Sequence, residues 1–224
     1  MAQVLKVCPV IRPQIVVPAL LLLLGGCAGK TGEIDESGGI TAVRSGCPQF
    51  GVPAGTGDVT LFNPSNSREA SAIDVVAAMT NVDSHCDDDA PGNDIISNVS
   101  FVVEARRTHT EDARDVTLPF FVTVVQGGSQ VVSKRIGHVT VHFDAGKDRA
   151  QAAGQGVSFV SKEAATLPRN VREQLLRKRK AGQEDAAIDP LAQPEVRGAV
   201  LKATYETLVG FQLTDDQLKY NVTR

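Results

Sequence analysis

VTLPFFVTVVQGGSQVVSKRIGHVTVHF, residues 116–143, holds two strands and the turn that joins them. Val116 to Val125 is apolar at nearly every position, the pattern of a strand covered on both faces and central in its sheet. Pro119 lies inside it without an N–H to give, which predicts a bulge or an edge position there. Gly127-Gly128-Ser129 supplies the positive-φ residues of a tight hairpin turn. From Val131 to Phe143 the chain returns. Val139, Val141 and Phe143 fall on one face, and His138, Thr140, His142 and Asp144 on the other.

Outward from this hairpin the period stays at two. Val59–Phe62 is a short strand stopped by Asn63-Pro64. Ile73 to Val82 puts Ile73, Val75, Ala77 and Met79 on one face; Val99, Phe101, Val103 and Ala105 do the same further on, and 156–161 is a further strand. The period then changes. Leu167 to Ala181 carries Val171, Leu175 and Leu176 at helical spacing, with Thr166 as the cap, Pro168 in the first turn and Gly182 past the end. Residues 195–203 fit either helix or strand. From Thr204 to Leu213 alternation returns, and Leu218, Tyr220 and Val222 beyond Thr214-Asp215-Asp216 predict the second arm of another hairpin. The sum is a mainly β chain, an immunoglobulin-like β-sandwich of about eight strands over 46–224, with a helical insertion at 162–198 whose helix lies near 167–181.

The first 45 residues are of another kind. Lys6 and Arg12 precede an apolar run, Ile15 to Leu24, of ten residues. As a helix that run would be about 15 Å long, half of a hydrocarbon core, which suits an export signal and not a span. It ends at Leu24-Gly25-Gly26-Cys27. This resembles the lipobox of bacterial lipoproteins, with Cys27 as the modified residue; the resemblance covers residues 1–27 only. It implies removal of 1–26, a lipid with palmitate-type chains on Cys27, and, with Ala28 rather than an acid following, an outer-membrane address. Residues 27–45 then form the lipidated cysteine and a flexible tether spanning roughly 25 Å.

Removing 1–26 leaves 198 of the 224 residues and changes the net charge from −3 to −5, because Lys6 and Arg12 leave with it. That balance argues against nucleic-acid binding. Cys8 also leaves and Cys27 takes the lipid, so Cys47 and Cys86 remain as a pair in an oxidising compartment, where a disulfide is expected.

Three groups of side chains are candidate sites. Arg169, Arg172, Arg177, Lys178, Arg179 and Lys180 form a basic patch on the inserted helix, which reads first as a solvated face and otherwise suits lipid phosphates, a glycan polymer or an acidic partner. Asp87, Asp88, Asp89 and Asp94 crowd a turn at 87–94 and could offer oxygens to calcium, but lack the spacing of a known loop. His138 and His142 share a strand face, yet residues four apart there are separated by about 13 Å, too far for one tetrahedral ion. No nucleophile motif and no acid/base set is present, so no catalytic residue and no cofactor beyond the lipid on Cys27 is expected. The chain is expected to be a non-enzymatic binding or assembly module, held to a membrane by lipid and partnered by another envelope protein. The alternative is an envelope enzyme or metal-responsive sensor using turn 87–94 or the His138/His142 strand.

Overall fold

A computed structural model describes residues 33–35, 39–41, 45–177, 182 and 188–223. Within the stretch expected to be tether, β1 (Glu33–Asp35) and β2 (Gly39–Thr41) pair antiparallel and belong to the first of two compact units, Met1–Ala42. The second unit, Val43–Arg224, holds the remaining elements.

Its strands are β3 (Gln49–Gly51), β4 (Asp58–Phe62), β5 (Ile73–Asp87), β6 (Asp94–Arg107), β7 (Arg114–Gln126), β8 (Gln130–Phe143), β9 (Arg149–Ser161) and β10 (Tyr205–Phe211). Two helices, α1 (Lys162–Ala165) and α2 (Arg169–Leu176), follow β9; α3 (Pro194–Lys202) leads into β10, and α4 (Asp215–Thr223) follows it. The strands form two four-stranded sheets, ordered β3-β10-β7-β8 and β4-β5-β6-β9. All pairings within them are antiparallel except β3 with β10. The architecture is mainly β and sandwich-like.

The alternation in the sequence fixes which face turns inward. Val75, Ala77 and Met79 of β5, Val99, Phe101 and Val103 of β6, Val116 to Val122 at every second residue of β7, and Val139, Val141 and Phe143 of β8 are buried in one apolar cluster with Val209 and Phe211. Phe101 and Phe120 meet edge-to-face at 4.9 Å across the two sheets. Each lies over the glycine opposite it in its ladder, Gly154 for Phe101 and Gly137 for Phe120. A second, smaller cluster joins Ile95, Val124, Val160, Ala165 and Tyr205, with Cys47 and Cys86 packed against it.

Several expectations from sequence need correction. Leu218, Tyr220 and Val222 lie on α4 and form no strand. The helix starts with a reciprocal cap, Gln217 N donating to Thr214 Oγ1 at 3.3 Å and Thr214 N to Gln217 Oε1 at 2.9 Å. Residues 195–203 belong to helix up to Lys202, with Pro194 in the first turn. The inserted helix is shorter than 167–181 in its described part, starting at Arg169; Thr166 caps the C-terminus of α1, its hydroxyl donating to Lys162 O, and not the start of α2. Pro119 sits in an interior strand without a bulge, the nearest irregularity falling at Val124/Val125. Its carbonyl accepts from Gln212 N at 2.8 Å, just beyond the last paired residue of β10, so its missing N–H faces a ladder that has already ended. Strands β5 and β6 reach into the acidic turn, which shrinks to residues 88–93.

Candidate functional site

The two open sides of the paired sheets are built differently. On one side the outer strands are β3 and β4, of three and five residues. Helix α4 packs on β4 and the loop before it: Asn221 Nδ2 donates to the carbonyls of Gly55 and Asp58 at 2.8 and 2.7 Å, and Tyr220 meets Phe62 edge-on at 5.1 Å, while β3 stays exposed, Phe50 at 46%. Short outer strands give a sheet little length on which to pair with other chains.

On the other side the outer strands are β8 and β9, of 14 and 13 residues. They run alongside each other but share no ladder. Strand β9 tucks beneath β7, so closely that a Cβ on Gly156 would lie 2.5 Å from Val122 Cγ2. The first half of β8 is exposed along most of its length, with Ser133 half-buried and Arg135 turned toward β9. Val131 is 61% exposed, Val132 46% and Ile136 49%. Lys134 reaches over the Phe121 ring at 5.4 Å, and Arg135 over the Phe159 ring of β9 at 5.0 Å. At the turn, Gly127 N donates to Thr204 O at 2.9 Å and Gln126 Nε2 to Lys202 O at 2.6 Å, which sets Leu201, 48% exposed, against the same end.

The backbone of this half-strand has a fixed direction. Pro119 O points to β10, so Phe120, Val122 and Val124 face β8, where they meet Gly137, Arg135 and Ser133. The alternate residues Lys134, Ile136 and His138 turn their N–H and C=O groups away from β7. Among the described residues no backbone group meets them there. Residues 116–143 carry Lys134, Arg135, His138 and His142 and no Asp or Glu. The arrangement can hydrogen-bond an extended backbone, bury apolar side chains and attract carboxylates.

The structure places the sequence-predicted residues as follows. Cys27 lies outside the described residues, as do Lys178, Arg179 and Lys180. Cys47 and Cys86 form the disulfide, with Cα atoms 6.0 Å apart. Arg172 and Arg177 are exposed on and just past α2, and Arg169 Nε donates to Glu173 at 2.9 Å, within the same helix. In the acidic turn, Asp88 Oδ2 accepts from Ser45 Oγ at 2.7 Å and Gly46 N at 3.0 Å, and Asp87 Oδ1 accepts from Asp89 N at 3.0 Å. Asp94, exposed, opens β6. Among the described residues, no three His, Cys, Asp or Glu side chains come together in a group able to hold a metal. His138 and His142 share the outer face of β8. His142 Nδ1 shares a hydrogen bond with Asp115 at 2.6 Å and its Nε2 lies 3.5 Å from Asp144, and these carboxylates, Asp115 foremost, raise its pKa.

Sequence reasoning missed two buried polar groups. Asp74, on the first turn of an apolar strand, takes both guanidinium nitrogens of Arg114 at 2.8 and 2.7 Å; the hydrogen bonds and charge of Arg114 hold its carboxyl below the usual range against the opposing effect of burial. Arg107, 3% exposed, donates to the carbonyls of Asp112, Asp144, Lys147 and Thr110 at 2.6–3.2 Å and stacks on Phe143, tying the loop before β7 to the loop after β8. Their only sequence signal is charge at strand ends. No protein-family model matches the chain, and no curated protein and no solved structure matches it either.

Proposed function

We propose that this chain is a bacterial envelope lipoprotein, held at the outer membrane by lipid on Cys27, with a domain that faces the periplasm. The domain works as a non-enzymatic binding or assembly module for another envelope protein. Its paired sheets serve as an immunoglobulin-like sandwich serves, as a rigid scaffold that presents an edge. The observation that carries the reading is the first half of β8, a long outer strand with three large apolar side chains in water and backbone groups turned outward, opposite a side whose outer strands have only three and five residues. The address comes from Leu24-Gly25-Gly26-Cys27. One acyl chain binds a membrane marginally, and two or more hold it stably. Fractionation with radiolabelled palmitate tests this part: Cys27→Ser should move the protein out of the membrane fraction and abolish labelling. Labelling that survives the substitution contradicts it.

A further inference from the structure

We infer that the exposed half of β8 binds its partner by strand addition, and that the partner supplies an extended segment in which acidic residues alternate with apolar ones. This rests on reading the domain as a binding module. The backbone decides the mode: Lys134, Ile136 and His138 present N–H and C=O groups at the spacing of a ladder, which an incoming strand satisfies one for one. A lipid surface offers headgroup donors and acceptors but not in alternation at the spacing of a ladder. The side chains decide the sequence of the partner. Lys134, Ile136 and His138 share the outer face, and Lys134 and Arg135 are the charges on the exposed stretch, with no acid between Val116 and Phe143. A carboxylate opposite Lys134 gains a cross-strand ion pair. A second copy of this chain would set cation against cation, which opposes self-pairing. Val131, Val132 and Leu201 offer apolar contact at the turn end.

The probe is an eight-residue peptide of alternating valine and glutamate, labelled for fluorescence anisotropy, against the full chain carrying Cys27→Ser. The control peptide replaces glutamate with lysine. The glutamate peptide should bind, at least tenfold more tightly than the control and more weakly as salt rises. Bound peptide should slow hydrogen exchange at Lys134 and Ile136. Ile136→Pro removes an outward N–H while leaving the β7 ladder intact, and should weaken binding at least tenfold. Lys134→Glu with Arg135→Glu, a second variant that keeps every backbone donor, should invert the preference between the peptides. Equal binding of the two peptides, or binding that Ile136→Pro leaves unchanged, overturns the inference. So does slowed exchange at Ile136 that appears with chain concentration and no peptide, which would make a second copy the occupant, or binding to anionic vesicles in place of the peptide. If in-cell crosslinks to a protein partner form through β8 while the peptide tests fail, strand addition falls and the binding-module reading stands.

Discussion

Phe101 and Phe120 reach their packing only because Gly154 and Gly137 lack a Cβ. A methyl group at 154 would stand 2.3 Å from the Phe101 ring, well inside contact distance. In a strand, Gly→Ala ordinarily stabilises by about 0.5–1 kcal/mol through the unfolded chain. Here overpacking opposes that, so Gly154→Ala should destabilise by roughly 1–3 kcal/mol in urea denaturation; a neutral or stabilising result would show that the ring does not lie there. The Asp74–Arg114 pair adds a pH dependence with a definite sign. Because the folded pKa of Asp74 lies below its unfolded value, its contribution is present above that unfolded value, about 3.9, and is lost as pH falls through the folded one. Arg114→Ala leaves a buried carboxyl unpaired and should cost roughly 1.5–3 kcal/mol at pH 7. That difference should shrink in acid, where Asp74 is protonated; a constant difference across the titration would place the effect elsewhere.

At the scale of elements, β5 shows why sequence pattern goes only so far. Its odd residues face inward up to Met79, and then Asn81, with φ of 49°, sits in a register shift between Thr80 and Asp83. Beyond the shift the even residues turn inward, and Cys86 faces the small cluster that also receives Cys47. A bulge reverses the face of everything after it, and no period-two count carries through one. The disulfide itself was legible, because it followed from compartment and cysteine number rather than from pattern. It closes a separation of 39 residues and should stabilise by about 4 kcal/mol in the chain-entropy description. Cys47→Ser with Cys86→Ser should lower the denaturation midpoint accordingly, and an unchanged midpoint would mean that the Asp88 hydrogen bonds to Ser45 and Gly46 suffice. Helix α4 was misread for a different reason. Leu218, Tyr220 and Val222 alternate, but Thr214-x-x-Gln217 is a capping signature, and it sets the local conformation ahead of a weak three-residue alternation.

At the scale of the molecule, the hairpin of residues 116–143 was readable because two strands and a glycine turn agree with each other. Its functional asymmetry was not. Whether the outer half of β8 is covered depends on how far β9 runs beneath it, a fact of sheet packing set by Gly156 against Val122 and by no residue of β8. On the opposite side α4 returns from far along the chain to bond Gly55 and Asp58 beside β4, another placement that no local pattern announces. The result is a sandwich-like body with short outer strands on one side and long ones on the other, on a chain whose first 27 residues resemble a lipoprotein signal. On the reading proposed above, the domain meets its partner through the side that β8 borders. A photo-crosslinking residue placed at position 136 on β8, and in parallel at position 151 on the exposed face of β9, tests it in cells. A discrete protein adduct is expected from position 136 in the membrane fraction and none from 151. No adduct at 136, or the same adducts at both positions, would contradict it.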